Sequence, residues 1–161
     1  MDSVFLLLGS NLGDRNLYLN KAIAHIKKNI TRVIKISSVY ETQSWGKADA
    51  PDYLNQVIHF KTHLSAQSIL RKVLAIETVL GRQRKVRYGS RTIDIDILFY
   101  GQFIIDEPGL HIPHPELHKR RFTLEPLAEI APEFVHPVLN LSVTQIKNEL
   151  KDSLNVKKLY V

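Results

Sequence analysis

The chain contains no cysteine, which removes disulfides, zinc–thiolate sites, iron–sulfur clusters and cysteine nucleophiles from consideration. Long apolar runs are missing too. The longest is Val4-Phe5-Leu6-Leu7-Leu8, far short of the roughly 18 residues a membrane span needs. Met1-Asp2-Ser3 puts no basic residue ahead of that run, so a secretory signal is not expected, and the expected location is the cytoplasm. Repeats, low-complexity tracts and linker-like stretches are absent. With 161 residues, 44% of them hydrophobic, the expectation is one domain spanning 1–161 around one core.

What is present is positive charge, 22 Lys and Arg against 16 Asp and Glu, and its placement matters more than its total. Arg82, Arg84, Lys85, Arg87 and Arg91 fall within ten residues with no acid among them, and His118-Lys119-Arg120-Arg121 follows. Like charges this dense repel one another, so the first run reads as a solvated loop unless an anion neutralises it. Five cationic side chains could blanket a triphosphate, with Arg suited to bidentate phosphate contacts. Gly81 and Gly89 bracket the run, so it could act as a lid. A Walker-type loop is absent, because Gly9-Ser10-Asn11-Leu12-Gly13-Asp14 lacks the Lys-Ser/Thr ending.

Val4–Leu8 reads as a buried strand. Asp14 is placed to cap a helix in which Leu19, Ile23, Ile26 and Ile30 recur at helical spacing. Val33–Tyr40 and Gln56–Thr62 read as strands two and three. Ser65 caps a second helix with Ile69, Val73, Ile76 and Leu80 on one stripe and Gly81 at its end. Thr92–Tyr100 is the fourth strand, which Gly101-Gln102 would turn into a short hairpin with Phe103-Ile104-Ile105. Strand, helix, strand, strand, helix, strand is the order of an α+β, ferredoxin-like fold, an antiparallel sheet with two helices on one face. Past Asp106, Leu124–Ile130 and Ser142–Lys151 look helical and would decorate the same domain.

In Thr92-Ile93-Asp94-Ile95-Asp96-Ile97-Leu98, alternation puts the isoleucines on one face and both aspartates on the other, about 6.8 Å apart along the strand. Two like charges on one face need compensation, by arginines or by a divalent metal. Mg²⁺ takes one or two carboxylates and leaves its other positions for water and phosphate oxygens. Ion pairs of the aspartates with Arg82 or Arg91 are the ordinary alternative, and spacing alone leaves both open.

Arg87-Tyr88-Gly89-Ser90-Arg91 followed by Thr92–Leu98 resembles the signature of the 6-hydroxymethyl-7,8-dihydropterin pyrophosphokinase family of folate biosynthesis. Gly9–Gly13, Pro51-Asp52-Tyr53-Leu54-Asn55, Ile112-Pro113-His114-Pro115 and Glu125–Pro132 resemble further family blocks in the same order, so the likeness covers most of the chain. It implies a ferredoxin-like fold and a Mg-dependent transfer of pyrophosphate from ATP to the pterin hydroxymethyl group, with AMP released. It further implies that Asp94 and Asp96 bind two Mg²⁺ ions and that Arg82 and Arg91 are catalytic. Arg84, His114 and Arg120 would contact ATP, with Lys85, Arg87 and Tyr88 on the same mobile loop. Thr42, Gln43, Trp45, Tyr53, Asn55 and Phe122 would bind the pterin, Tyr53 and Phe122 by stacking on its two faces. Gln43-Ser44 and Ser90 stand where family members commonly carry prolines, without removing a charge or a metal ligand.

Three other functions fit the sequence less well. An RNA-binding module of this fold would carry an aromatic-rich pattern on a central strand, where this chain has two aspartates. A zinc site at His111, His114 and His118 is broken up by Pro113 and Pro115. A phosphohydrolase on the same aspartates would release phosphate without a pterin. The expected partners are therefore small molecules, not nucleic acid or membrane, and the expected state is a monomer.

Overall fold

The apolar run within Asp2–Ser10 becomes a strand whose odd and even residues feed two separate cores. The computed structural model describes residues 1–42, 52–81, 92–152 and 155–159. Its elements run β1 (Asp2–Ser10), α1 (Arg15–Asn29), β2 (Lys35–Ile36), β3 (Val39–Thr42), β4 (Tyr53–Thr62), α2 (Ala66–Val79) and β5 (Asp94–Tyr100). There follow β6 (Ile105–Glu107), β7 (Leu110–Ile112), a 3-10 turn at Leu117–Lys119, α3 (Arg121–Ile130), α4 (Val143–Asn148) and β8 (Val156–Leu159). No helix among the described residues is long and apolar enough to cross a membrane.

The main sheet has the order β5-β1-β4-β3-β8, every pairing antiparallel, with β2 also paired to β4. Its β5-β1-β4-β3 portion, crossed by α1 and α2, is the ferredoxin-like βαββαβ arrangement. Both helices start as the sequence indicates. Asp14 accepts from the Leu17 N–H and Ser65 from the Ser68 N–H, each at 3.1 Å, satisfying a first-turn donor that would otherwise lack a partner. Val4, Leu6 and Leu8 pack with Leu19, Ile23, Ile26, Ile69 and Val73 of the helices, all buried.

The opposite face is covered as well. Phe5, Leu7, Val57, Leu98 and Phe99 form a second core with Leu117, Leu124, Leu127, Val143 and Ile146. The segments expected only to decorate the domain thus make a third layer. Glu129 fastens α3 to β3, accepting from the Tyr40 hydroxyl at 2.6 Å and the Ser38 N–H at 2.9 Å.

Several expected elements differ. The strand expected over Val33–Tyr40 is split, because Ser37 Oγ accepts the Val57 N–H at 2.9 Å, a place a ladder carbonyl would take. The hairpin expected at Gly101-Gln102 does not form. The chain turns there, with Gly101 at φ 53° and the Phe103 N–H on the Tyr100 carbonyl, and leaves Phe103 and Ile104 exposed. Ile105–Glu107 pairs instead with β7 across Pro108-Gly109, where Gly109 has φ 78°, a backbone that favours glycine. α3 begins three residues before the expected Leu124, and α4 ends three before the expected Lys151. β8 was not foreseen. Gln43, Trp45, Arg82, Arg84, Lys85, Arg87, Tyr88 and Arg91 lie outside the described residues.

Candidate active site

The register of three strands sets the floor of the site. Gly9 of β1 pairs with Asp94 of β5 on one side and Asn55 of β4 on the other, and Leu7 pairs with Asp96. Directly paired residues share a face, so Asp94, Asp96 and Asn55 all stand on the face roofed by α3. Tyr53 and its partner Thr42 lie two positions further along on the same face. The aspartates therefore point away from the α1–α2 core, while Ile93, Ile95 and Ile97 are buried in it.

Gly9 leaves room there for the Asn55 side chain. A Cβ at this position would come within 3.0 Å of Asn55 Oδ1 and 3.7 Å of Tyr53 Cδ1. Asn55 is only 3% exposed, and its Nδ2 has no hydrogen-bond partner among the described residues. A buried amide donor without a partner costs about 1–3 kcal/mol. Facing a cavity, such a group is poised for a ligand acceptor.

A β-bulge brings in the next residue. Between Phe5 and Leu6 of β1 the β5 register skips Leu98, whose carbonyl accepts the His114 N–H at 3.0 Å. That bond attaches the segment after β7 to the strand bearing Asp96, and His114 Nε2 lies 4.0 Å from Asp96 Oδ2. The Glu116 N–H donates to His114 Nδ1 at 3.1 Å, which assigns the neutral ring's proton to Nε2. Burial, reinforced by the Arg120 charge, pushes the His114 pKa down to about 4 against the pull of Asp94 and Glu116. At neutral pH this residue is an uncharged N–H donor aimed toward the aspartates.

Arg120 and Phe122 enter from the start of α3. The Arg120 guanidinium carbon lies 5.5 Å from the Phe122 ring centroid, a cation–π distance that fixes both side chains. The first turn of α3 contains no acidic residue of its own, and Asp152 meets its N-terminus from outside, accepting the Arg121 N–H at 3.0 Å.

All eight described candidates, Thr42, Tyr53, Asn55, Asp94, Asp96, His114, Arg120 and Phe122, line one cavity of about 510 Å³. That volume is in the range of small-molecule sites. The other eight candidates are those outside the described residues. The same cavity is walled by residues the sequence did not single out, Leu70, Leu74 and Glu77 of α2 and Gly109 and Leu110 of the β6–β7 hairpin, and by His111, which the sequence offered only for the zinc alternative. Leu70, Leu74 and Glu77 recur at helical spacing one position off the core stripe, and a carboxylate on such a stripe was the available signal.

The donor set suits magnesium. Asp94 and Asp96 are half-buried hard oxygen donors on a cavity floor, and among the described residues no group of three His, Asp or Glu side chains forms a cage. Two carboxylates with room for phosphate and water are the usual protein share of a Mg²⁺ site.

Comparison with known proteins gives the family. A family model described as 7,8-dihydro-6-hydroxymethylpterin-pyrophosphokinase (HPPK) matches residues 5–132. The 2-amino-4-hydroxy-6-hydroxymethyldihydropteridine pyrophosphokinase of Aquifex aeolicus is 41% identical over 149 residues, covering 92% of each chain. The enzyme of the same name from Bacillus subtilis is 42% identical over 127 residues, 78% of this chain and 76% of that one. Among solved structures, a triple mutant of Plasmodium falciparum HPPK-DHPS with pteroate superimposes with a TM-score of 0.75 at 19% identity, over 92% of this chain. This chain spans only 43% of that larger one, and the likeness speaks for the fold. By the family model and these relatives, the chain belongs to the 7,8-dihydro-6-hydroxymethylpterin-pyrophosphokinase family.

Proposed function

We propose that the cavity under α3 carries out the family's reaction on two substrates held side by side, ATP along Asp94, Asp96, His114 and Arg120, and the pterin among Thr42, Tyr53, Asn55 and Phe122. The chain is a pyrophosphokinase of folate biosynthesis, moving pyrophosphate onto 6-hydroxymethyl-7,8-dihydropterin. In the reaction the hydroxymethyl oxygen attacks the β-phosphorus of ATP. The bond from that phosphorus to the α,β-bridging oxygen breaks, AMP departs, and the hydroxyl proton is released.

The supporting observation is the convergence of paired carboxylates with an unsatisfied, buried amide on one cavity floor, separated only by the side-chain-free Gly9. Asn55 offers a donor to the heterocycle edge, and the Tyr53 and Phe122 rings flank the compartment it opens into. The neutral N–H of His114 and the cation of Arg120 serve as donors to phosphate oxygens. Asp94 and Asp96 would hold two Mg²⁺ ions, which when bound neutralise phosphate charge and favour in-line displacement. Arg82 and Arg91 are assigned catalytic roles, and Arg84, Lys85, Arg87 and Tyr88 contacts to ATP; Gln43 and Trp45 complete the pterin set. These assignments rest on motif position.

On this reading residues 1–161 work as one monomeric unit in the cytoplasm, with small molecules as partners. Nucleic acid is disfavoured because two carboxylates on the ligand face repel a phosphate backbone. Incubation with ATP, Mg²⁺ and the reduced hydroxymethylpterin, followed by identification of the nucleotide product, tests the proposal. AMP should form only when the pterin is present. ADP, or AMP formed regardless of pterin, contradicts it.

A further inference from the structure

The remaining wall of the cavity holds an acid that the reaction as described does not use. Glu77, in the last turn of α2, is 1% exposed. Glutamate is almost never buried to this extent unless its carboxylate is engaged, because transfer of the charge from water is costly. Its Oε2 accepts a hydrogen bond of 2.7 Å from the backbone N–H of Ile95, the residue between Asp94 and Asp96. β5 is the outer strand of the sheet, so this N–H is bonded by a helix side chain where an inner strand would offer a carbonyl.

We infer that Glu77 is a positioning residue for the two aspartates, fixing the peptide between them so that their oxygens are set for the metal before it arrives. The inference rests on the metal-binding role proposed above for Asp94 and Asp96. The mechanism is geometric. An outer strand is anchored by its ladder on one edge only, and in β5 that ladder is already interrupted by the bulge at Leu98. Below the bulge, the segment bearing the aspartates is held by its pairing to Leu7–Gly9 and, on the other edge, by Glu77. Mg²⁺ tolerates little departure from octahedral geometry, so a small swing of the Ile95 peptide displaces both carboxylates at once. A hydrophobic residue at 77 could pack against Leu74 and Ile76 but could not hold that N–H.

Two conservative variants separate reach from charge. Glu77→Gln keeps an oxygen acceptor at the same distance and loses the charge, whereas Glu77→Asp keeps the charge and draws the acceptor back by one methylene. Mn²⁺ is the probe, its binding measured by electron paramagnetic resonance with a non-hydrolysable ATP analogue. Asp96→Asn serves as the control. Glu77→Asp should bind Mn²⁺ on the order of 10- to 100-fold more weakly, the usual cost of removing a group that orients a metal ligand. Glu77→Gln should stay close to wild type. A wild-type affinity in Glu77→Asp, or a weakened one in Glu77→Gln, overturns the inference while leaving the metal reading intact. Tight Mn²⁺ binding that survives Asp96→Asn overturns the metal reading and this inference together. A second measurement needs no variant: in the metal-free wild-type protein the Ile95 amide proton should be protected from solvent exchange like those of the inner strands. Rapid exchange there overturns the inference even if Glu77→Asp fails to fold.

Discussion

His114 Nε2 stands 4.0 Å from Asp96 Oδ2 with its ring neutral. The gap is too long for a hydrogen bond and leaves the N–H available to a ligand oxygen. The lowered pKa has a consequence for stability. Above pH 6.5 the imidazole is neutral both folded and unfolded, so nothing is lost. As pH falls from 6.5 toward 4, the unfolded chain takes up a proton that the folded one refuses, and stability drains away by roughly 3 kcal/mol at the lower end. His114→Gln removes this titration. In urea unfolding of metal-free protein, the variant should lose roughly 2 kcal/mol less than wild type between pH 7 and pH 4.5. Equal losses in the two proteins would show that His114 is not held neutral.

Asp96→Ala should reduce pterin-dependent AMP formation on the order of a thousandfold or more, with circular dichroism and thermal midpoint little changed. The side chain is 33% exposed and belongs to neither apolar core, so its removal opens no cavity. Steady-state turnover near the wild-type rate would remove the aspartate from the chemistry.

The part of the fold governed by local pattern was legible in the sequence. Asp14 and Ser65 declared their helices through capping, and the Ile-Asp-Ile-Asp-Ile alternation declared which face of β5 would carry charge. What was not legible depended on partners distant in the chain. The break at Ser37 depends on Val57, twenty residues away, and the hairpin at Pro108-Gly109 competed with an equally plausible turn at Gly101. β8 could not be foreseen, since a short strand with two lysines gains its order only from the edge of β3. The same applies to Glu77. A carboxylate on a helix stripe is ordinary until the strand whose peptide it holds is known.

Gly9→Ala tests the floor of the pterin compartment. The new methyl would sit 3.0 Å from Asn55 Oδ1, so the amide must rotate or withdraw. Losing one well-aligned hydrogen bond amounts to about 1.4 kcal/mol, near tenfold in affinity. The KM for the pterin should rise by about that factor, with the KM for ATP and the thermal midpoint nearly unchanged. A change confined to the ATP constant would place the heterocycle elsewhere.

Phe122→Leu keeps the residue apolar while removing a ring. Pterin binding should weaken by about 1 kcal/mol beyond the lost contact area, the typical worth of an aromatic pair. Because Arg120 stacks on the same ring at 5.5 Å, ATP binding should weaken slightly too, by at most about 1 kcal/mol for a partly exposed cation–π contact. Calorimetric titration with each substrate separates the two effects; a larger loss for ATP than for the pterin would reverse the assignment.

Asp152 lies beyond the span matched by the family model, yet it reaches the site through α3. The residue at the N-cap of α3, Arg120, makes no side-chain cap bond. Asp152 Oδ2 supplies that function from elsewhere, accepting the Arg121 N–H at 3.0 Å. A carboxylate at a helix N-terminus also opposes the dipole there. The first turn so held carries Phe122, with Arg120 immediately before it, so loosening the cap should be felt at both subsites. Asp152→Ala should cost about 1 kcal/mol, lowering the thermal midpoint by about 2–4 °C, and should raise the KM for the pterin. Asp152→Asn retains an acceptor and should restore most of both. If the alanine variant loses stability while both Michaelis constants stay at wild-type values, the C-terminal segment steadies the fold without shaping the site.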